Sequence, residues 1–243
     1  MMNKLEINKI YNMDCLEGMK LIDDESIDMV FADLPYGLTS NKWDARIDID
    51  KFWKEVLRII KDRTPIIFTG REPFSSILVT SNLKMFRHKW VWNKNNSAGF
   101  INAKKMPLQV VEDILVFGKK SPNYYPIMEE RGKPKFKGGY TNSSNYRIDV
   151  TNYKIKNNIY YPKNILNISN AVQKGKIHPT QKPIELLEYL IETYTKEGDL
   201  VLDPVIGSGT TALACKNKNR KFIGFEINQN YFELAQKRIN NGD

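Results

Sequence analysis

Short apolar runs rich in β-branched and aromatic residues alternate along this chain with amphipathic stretches of helical spacing, and few folds accept that alternation. It is the pattern of crossover units around a parallel sheet, an α/β architecture. Expected strands are Asn8 to Met13, Ile27 to Ala32, Pro65 to Thr69, His88 to Trp92, Glu112 to Phe117, Leu200 to Leu202 and Lys221 to Phe225. Expected helices are Cys15 to Ile22, Asp50 to Lys61, Phe74 to Ser81, Pro183 to Thr195, Thr210 to Lys216 and Gln229 to Ile239. At 243 residues the chain can bury one substantial core but is short for two, so one elaborated domain is expected.

The alternation is interrupted by charge. Gly118 to Lys182 holds 13 Lys+Arg against three acids, a local net charge of +10, while the remaining 24 bases and 25 acids nearly cancel. The same stretch carries seven of the 12 Tyr: Tyr124, Tyr125, Tyr140, Tyr146, Tyr153, Tyr160 and Tyr161. Basic groups interleaved with flat rings suit a polyanion whose bases can stack. A solvated insertion is the plainer reading, because Gly132 to Asn158 is poor in aliphatic residues. Between Glu72 and Glu112 there is no acid, yet Lys84, Arg87, Lys89, Lys94, Lys104 and Lys105 are present, which adds to the basic surface.

Composition removes other chemistries. No apolar run reaches the roughly 18 residues of a membrane span, and the first residues lack the apolar core of a signal peptide, so a cytoplasmic protein with free thiols is expected. Two Cys (Cys15, Cys215) and two His (His88, His178) cannot build a Cys-rich zinc site and leave little for a His-based triad. No metal is expected, and both Cys are assigned to packing.

Two turns carry chemistry. Leu200 to Thr211 reads LVLDPVIGSGTT, an apolar strand, a turn at Gly207, Ser208 and Gly209, and a helix opened by Thr210 or Thr211. Such a turn lets backbone approach a ligand closely and points unpaired N–H groups at it. A third glycine and a P-loop lysine are both missing, which disfavours a dinucleotide and ATP. Nineteen residues beyond Gly207, at the end of the next apolar strand, Glu226 is placed to accept hydrogen bonds from a ribose diol. The other turn is IDMVFADLPYG, where a strand ends in Asp33, Leu34, Pro35 and Tyr36. An exocyclic amino group is a poor nucleophile, because its lone pair is delocalised into the ring. The Asp33 carboxylate and the Leu34 carbonyl can accept its two N–H bonds and favour a pyramidal nitrogen that attacks a positively charged methyl donor. Tyr36 can stack on the base.

With these residues the chain resembles the β-class DNA amino-methyltransferases, S-adenosylmethionine enzymes of bacterial and phage type. DLPYG resembles their Asp-Pro-Pro-Tyr motif, HPTQKPIELLEYLI from His178 resembles the segment before their glycine turn, and DPVIGSGTT resembles their cofactor motif, in the β-class order. The resemblance implies a Rossmann-like fold in which residues 1–118 and 178–243 form the catalytic domain and 119–177 a target-recognition insertion. It places Asp14 near the cofactor adenine, Glu226 on its ribose, and Asp203 with Gly207, Ser208, Gly209, Thr210 and Thr211 around its methionine portion. His178, Thr180 and Lys182 would close that pocket. The implied reaction is N6 methylation of a flipped adenine in double-stranded DNA by direct displacement, with a homodimer and a companion restriction endonuclease as further partners to consider.

Two positions depart from the family pattern. Leu34 replaces a Pro, which touches rigidity and not the carbonyl contact, and Val205 replaces a Phe, which should weaken cofactor affinity. Asp33 in place of Ser favours adenine over cytosine N4. The competing readings are cytosine-N4 methylation, methylation of RNA or of a protein amide, and a catalytically silent DNA-binding module.

Overall fold

The computed structural model describes residues 5–35, 47–137, 155–170 and 181–241. In chain order the elements are β1 (Lys9–Tyr11), α1 (Cys15–Met19), β2 (Met29–Ala32), α2 (Ile49–Ile59), β3 (Ile66–Gly70), α3 (Phe74–Ser81), β4 (Phe86–Ala98) and β5 (Gln109–Phe117). They continue with β6 (Glu129–Lys137), β7 (Ile155–Tyr160), β8 (Ile165–Asn167), α4 (Ile184–Tyr194), β9 (Leu200–Asp203), α5 (Thr210–Asn217), β10 (Lys221–Phe225) and α6 (Gln229–Asn241). The chain divides into two compact units, Met1–Tyr125 with Asn164–Asp243, and Pro126–Lys163. The second unit contains β6 and β7, an antiparallel pair with a register shift between Glu130 and Lys135. Within it Arg131 pairs with Glu129 and stacks over the Tyr160 ring at 5.6 Å, while Lys133 and Lys135 are exposed.

The first unit is built on an eight-stranded sheet in the order β1-β10-β9-β2-β3-β5-β4-β8. Successive side chains of a strand point to opposite faces, and here both faces are buried. Met29 and Phe31 of β2 enter one core with Ile67, Ile114, Val116, Val201 and Phe222, which α4, α5 and α6 cover with Leu187, Ile191, Ala212 and Ala235. Val30 and Ala32 enter the other, with Ile66, Phe68, Leu115, Phe117 and Leu202, under Met19 of α1, Phe52 and Val56 of α2 and Leu78 of α3. The helices therefore lie on both faces. In the second core Phe68 meets Trp53 and Phe117, each at 5.5 Å between ring centroids. Burying each such ring is worth about 1.5–3 kcal/mol. The α2 helix starts where Asp48 accepts from the Lys51 N–H at 3.1 Å.

The sheet is mainly parallel, as expected, and the exception lies on one side: β5 runs antiparallel to both β3 and β4. A strand buried on both faces reads the same in either direction, so the apolar pattern carries no direction. The connection does. Residues 99–108 are too few for a crossover between parallel strands. The β4 strand also runs on to Ala98, past the expected end at Trp92, through polar residues that pairing alone keeps extended. Beyond it β8, drawn from the basic stretch, adds a parallel edge. His88 serves this scaffold: its ring nitrogen lies 2.8 Å from the Tyr194 hydroxyl, which also accepts from the Trp90 indole at 2.7 Å, and burial lowers the imidazole pKa. The Cys15 and Cys215 thiols are both buried, and burial pushes Cys15 up to about 12, as a packing role requires.

At the inner end of β10, a Cβ added to Gly224 would lie 2.4 Å from Ile206 Cδ1 and 3.2 Å from its Cβ. Gly224→Ala therefore overpacks the loop after β9 and is expected to lower stability by about 1–3 kcal/mol, read as a shift in the urea midpoint with an unchanged slope.

Candidate active site

The chain leaves β2 toward β3 in one direction across the sheet and leaves β9 toward β10 in the other. The strand order thus reverses between β2 and β9, which pair in parallel through Met29 with Val201 and Val30 with Leu202. Ligands of open α/β sheets bind outside the carboxyl ends of strands at such a point. Both chemical turns of the sequence sit there: Asp33 just past β2, and Asp203 at the end of β9.

The two-residue repeat of the strands decides which groups meet. In five strands the outermost core position on the face covered by α4 is flanked, two residues along, by a polar one. Phe31 leads to Asp33, Ile67 to Thr69, Val201 to Asp203 and Trp92 to Lys94, and in the antiparallel β5 Glu112 precedes Ile114. The apolar core of that face thus continues into a polar row along one edge of the sheet.

At one end of the row lies the glycine turn. Gly207 and Gly209 have φ of 53° and 79°, a region that favours glycine. The Gly207 N–H donates to Glu226 Oε2 at 3.0 Å and the Asn228 N–H to Oε1 at 2.8 Å, so the carboxylate of the next strand end braces the turn. Asp203 accepts from the Val205 N–H at 3.0 Å and from the Thr211 hydroxyl at 2.5 Å. Ser208 and Thr210 are buried, and Arg238 of α6 donates to the Ser208 carbonyl at 3.2 Å and the Thr210 hydroxyl at 2.9 Å. Burial pushes Asp203 up to about 7, the Thr211 and Val205 hydrogen bonds opposing and the charges of Asp33 and Glu226 adding to it. Burial raises Glu226 as well. Among the described residues no ion pair neutralises either acid. Such a corner suits a positively charged ligand. Asp14 lies at the neighbouring strand end, exposed, where Oδ1 caps α1 by accepting from the Leu16 and Glu17 N–H groups at 2.9 and 3.2 Å.

At the centre is Asp33. Its Oδ1 accepts from the Thr69 hydroxyl at 2.5 Å and its Oδ2 from Lys182 Nζ at 2.6 Å. Lys182, which the motif reading put at the cofactor pocket, is thus on the β2 carboxylate, and it also lies 3.6 Å from Glu112 Oε2. Burial works against its charge, but the carboxylates of Asp33 and Glu112 outweigh that and raise its pKa. Leu34 is buried and Pro35 half-buried, while Tyr36, His178 and Thr180 lie outside the described residues. Thr69, Lys94 and Glu112 were not singled out from the sequence. Glu112 closes the acid-free stretch at the mouth of an apolar strand, the one signal that pointed to it.

This order of strands, with acids and a glycine turn at the reversal, defines a Rossmann-like methyltransferase fold. The chain belongs to the N6/N4 DNA methylase family, whose model matches residues 27–237. It is 30% identical to the type II methyltransferase M.HpaI of Haemophilus parainfluenzae over 93% of this chain and 72% of that protein. It is 29% identical to the DNA adenine methyltransferase YhdJ of Escherichia coli, over 96% and 83% of the two chains. Among solved structures, the PvuII cytosine-N4-specific DNA methyltransferase superposes with a TM-score of 0.68 at 19% identity, covering 99% of this chain and 95% of that one. The M1.HpyAVI–SAM complex gives 0.66 at 24% identity, covering 96% and 98%. No described helix is long and apolar enough to cross a membrane.

Asp203 gives this site a pH signature. Its folded-state pKa of about 7 lies above the ordinary 3.8, so the folded protein holds a proton that the unfolded chain releases. Its contribution to stability is present at low pH and is lost as pH rises from about 4 to about 7. Urea denaturation of the ligand-free protein across that window should show Asp203→Asn gaining on the parent by a few kcal/mol on the order of 2–4. Parallel curves would show that Asp203 is ionised throughout.

Proposed function

We propose that the protein is a DNA adenine-N6 methyltransferase that uses S-adenosylmethionine. The observation that carries this reading is the adjacency of Asp33 to the acid-rich glycine corner across the β2–β9 reversal, where the charge of Asp33 acts on Asp203. The cofactor fits the corner chemically: it is a sulfonium with a free ammonium, and Asp203 and Glu226 are buried acids with no described cation beside them. When bound it supplies an electrophilic methyl group. Gly207, Ser208, Gly209, Thr210 and Thr211 would hold its methionine portion together with Asp203, Glu226 its ribose, and Asp14 its adenine, with His178, Thr180 and Lys182 closing the pocket.

The chain's own work is on the target amino group. A carboxylate is an acceptor of hydrogen bonds and donates none, so Asp33, which accepts from Thr69 and Lys182 here, has the chemistry to accept an N–H bond from an adenine amino group. The Leu34 carbonyl accepts the second N–H, and the nitrogen lone pair leaves conjugation with the ring. Tyr36 stacks on the extruded base, a contact worth about 1–3 kcal/mol against the few kcal/mol that extrusion requires. Asp33 and Leu34 would hold the nitrogen for direct displacement at the methyl carbon that the bound cofactor would supply, and the Asp33 carboxylate would take the surplus amino proton and pass it to solvent. Residues 119–177, with their excess of Lys, Arg and Tyr, would follow the DNA backbone and read its bases.

Asp33 in place of Ser supports adenine, and the name borne by YhdJ is consistent with it. Cytosine N4 is the second reading, since it presents the same amino geometry and the PvuII enzyme shares the fold. Mass spectrometry of nucleosides from methylated DNA is expected to show N6-methyladenine; N4-methylcytosine would transfer the reading to the other base. Asp33→Ala should lower methyl transfer by about 10³-fold or more while leaving cofactor affinity within a few-fold, measured by radiolabel incorporation and by calorimetry. Near-normal turnover in that variant would rule out the mechanism.

A further inference from the structure

Behind the Asp33 carboxylate four charges of alternating sign form a row, Lys94 buried and the other three partly so. Lys94, Glu112, Lys182 and Asp33 have side chains only 9%, 15%, 10% and 23% exposed. Lys94 Nζ donates to Glu112 Oε1 at 2.9 Å, Lys182 Nζ lies 3.6 Å from Glu112 Oε2, and the same ammonium donates to Asp33 Oδ2 at 2.6 Å. Replacing buried ion pairs by apolar side chains of similar volume is often neutral or stabilising, so packing alone does not account for such a row. Its asymmetry is informative. Glu112 Oε2 is buried and has no hydrogen-bond partner among the described residues, because 3.6 Å is too long for one. A cation thus stands beside two carboxylates and bonds to one of them. A shift of about 1 Å by the Lys182 ammonium, well within the reach of a flexible four-carbon stem, would satisfy the orphaned oxygen.

We propose that Lys182 has two stations, Asp33 in the free enzyme and Glu112 once the target amino group engages Asp33, which makes Glu112 a positioning residue for the transfer. The inference rests on the role of Asp33 given above. It gives the bond between Lys182 and Asp33 a role: the lysine holds Asp33 in its place and then yields to the amino group. Lys94 fixes Glu112 through its other oxygen, so the second station stays where the ammonium can reach it.

Glu112→Gln keeps the side chain's shape and removes the charge that would receive the ammonium. The expected result is a fall in kcat of at least about tenfold, with the KM for duplex DNA and the Kd for S-adenosylmethionine within about twofold of the parent, since phosphate contacts and the glycine corner are untouched. That substitution also strands Lys94, so the paired variant Lys94→Met/Glu112→Gln, which leaves no orphaned cation at that position, is measured beside it and should show the same loss. A kcat within about twofold of the parent in either protein, including a loss that the paired variant repairs, overturns the proposal, as does an equal weakening of cofactor binding. Asp33→Ala, assayed in the same series, separates the two readings. If it stays active, the assignment of the site fails and this inference with it; if it is inactive while Glu112→Gln turns over normally, only the second station fails.

Discussion

Everything at the active site depends on the parallel pairing of β2 with β9, two short strands far apart in sequence. Without it the carboxylate of Asp33 and the glycine turn would belong to separate crossover units. With it, they share one edge of the sheet, and each feels the other: Asp33 helps to raise Asp203. The pairing is braced from outside the ladder, since Asp28 accepts from the Leu200 N–H at 2.9 Å and holds Lys61 at 2.5 Å. The placing of the two turns thus follows from backbone hydrogen bonds and two apolar faces.

Much of this was legible in the sequence, for reasons that differ from element to element. The strands through Val30, Ile67, Val201 and Ile223 announce themselves because parallel strands buried on both faces need uninterrupted apolar runs. The helices α2 and α4 show a clean apolar stripe, and Pro183 marks the start of the second. Direction was not legible for β5, because a doubly buried strand has no polar face to orient it. The tail of β4 and all of β8 were hidden in polar or basic sequence, where pairing and not burial maintains the extended backbone.

The site divides in the same way. Its motif residues are contiguous in sequence, Asp33 to Pro35 and Asp203 to Thr211, and could be read as turns at strand ends. The charge row is not contiguous. Lys94, Glu112 and Lys182 come from a strand, its antiparallel neighbour and the approach to a helix, and no spacing rule links them. The antiparallel register, which sets Trp92 opposite Glu112, brings Lys94 to Glu112, and the approach to α4 adds Lys182. The bond from Lys182 to Asp33 spans 149 residues of sequence, and a motif gives order along the chain without giving such a contact.

The outermost strand β1 has a consequence for how the chain acquires its shape. It hydrogen-bonds to β10, more than 200 residues downstream, through Lys9 with Ile223 and Tyr11 with Phe225. Contacts of such long sequence separation raise the entropy that folding must overcome before they stabilise anything, and they slow the search. A nascent chain emerging from the ribosome therefore carries its opening strand unpaired through most of translation. The glycine turn after β9, which Glu226 braces from the end of that same β1–β10 ladder, is completed only when the far end of the domain has been made.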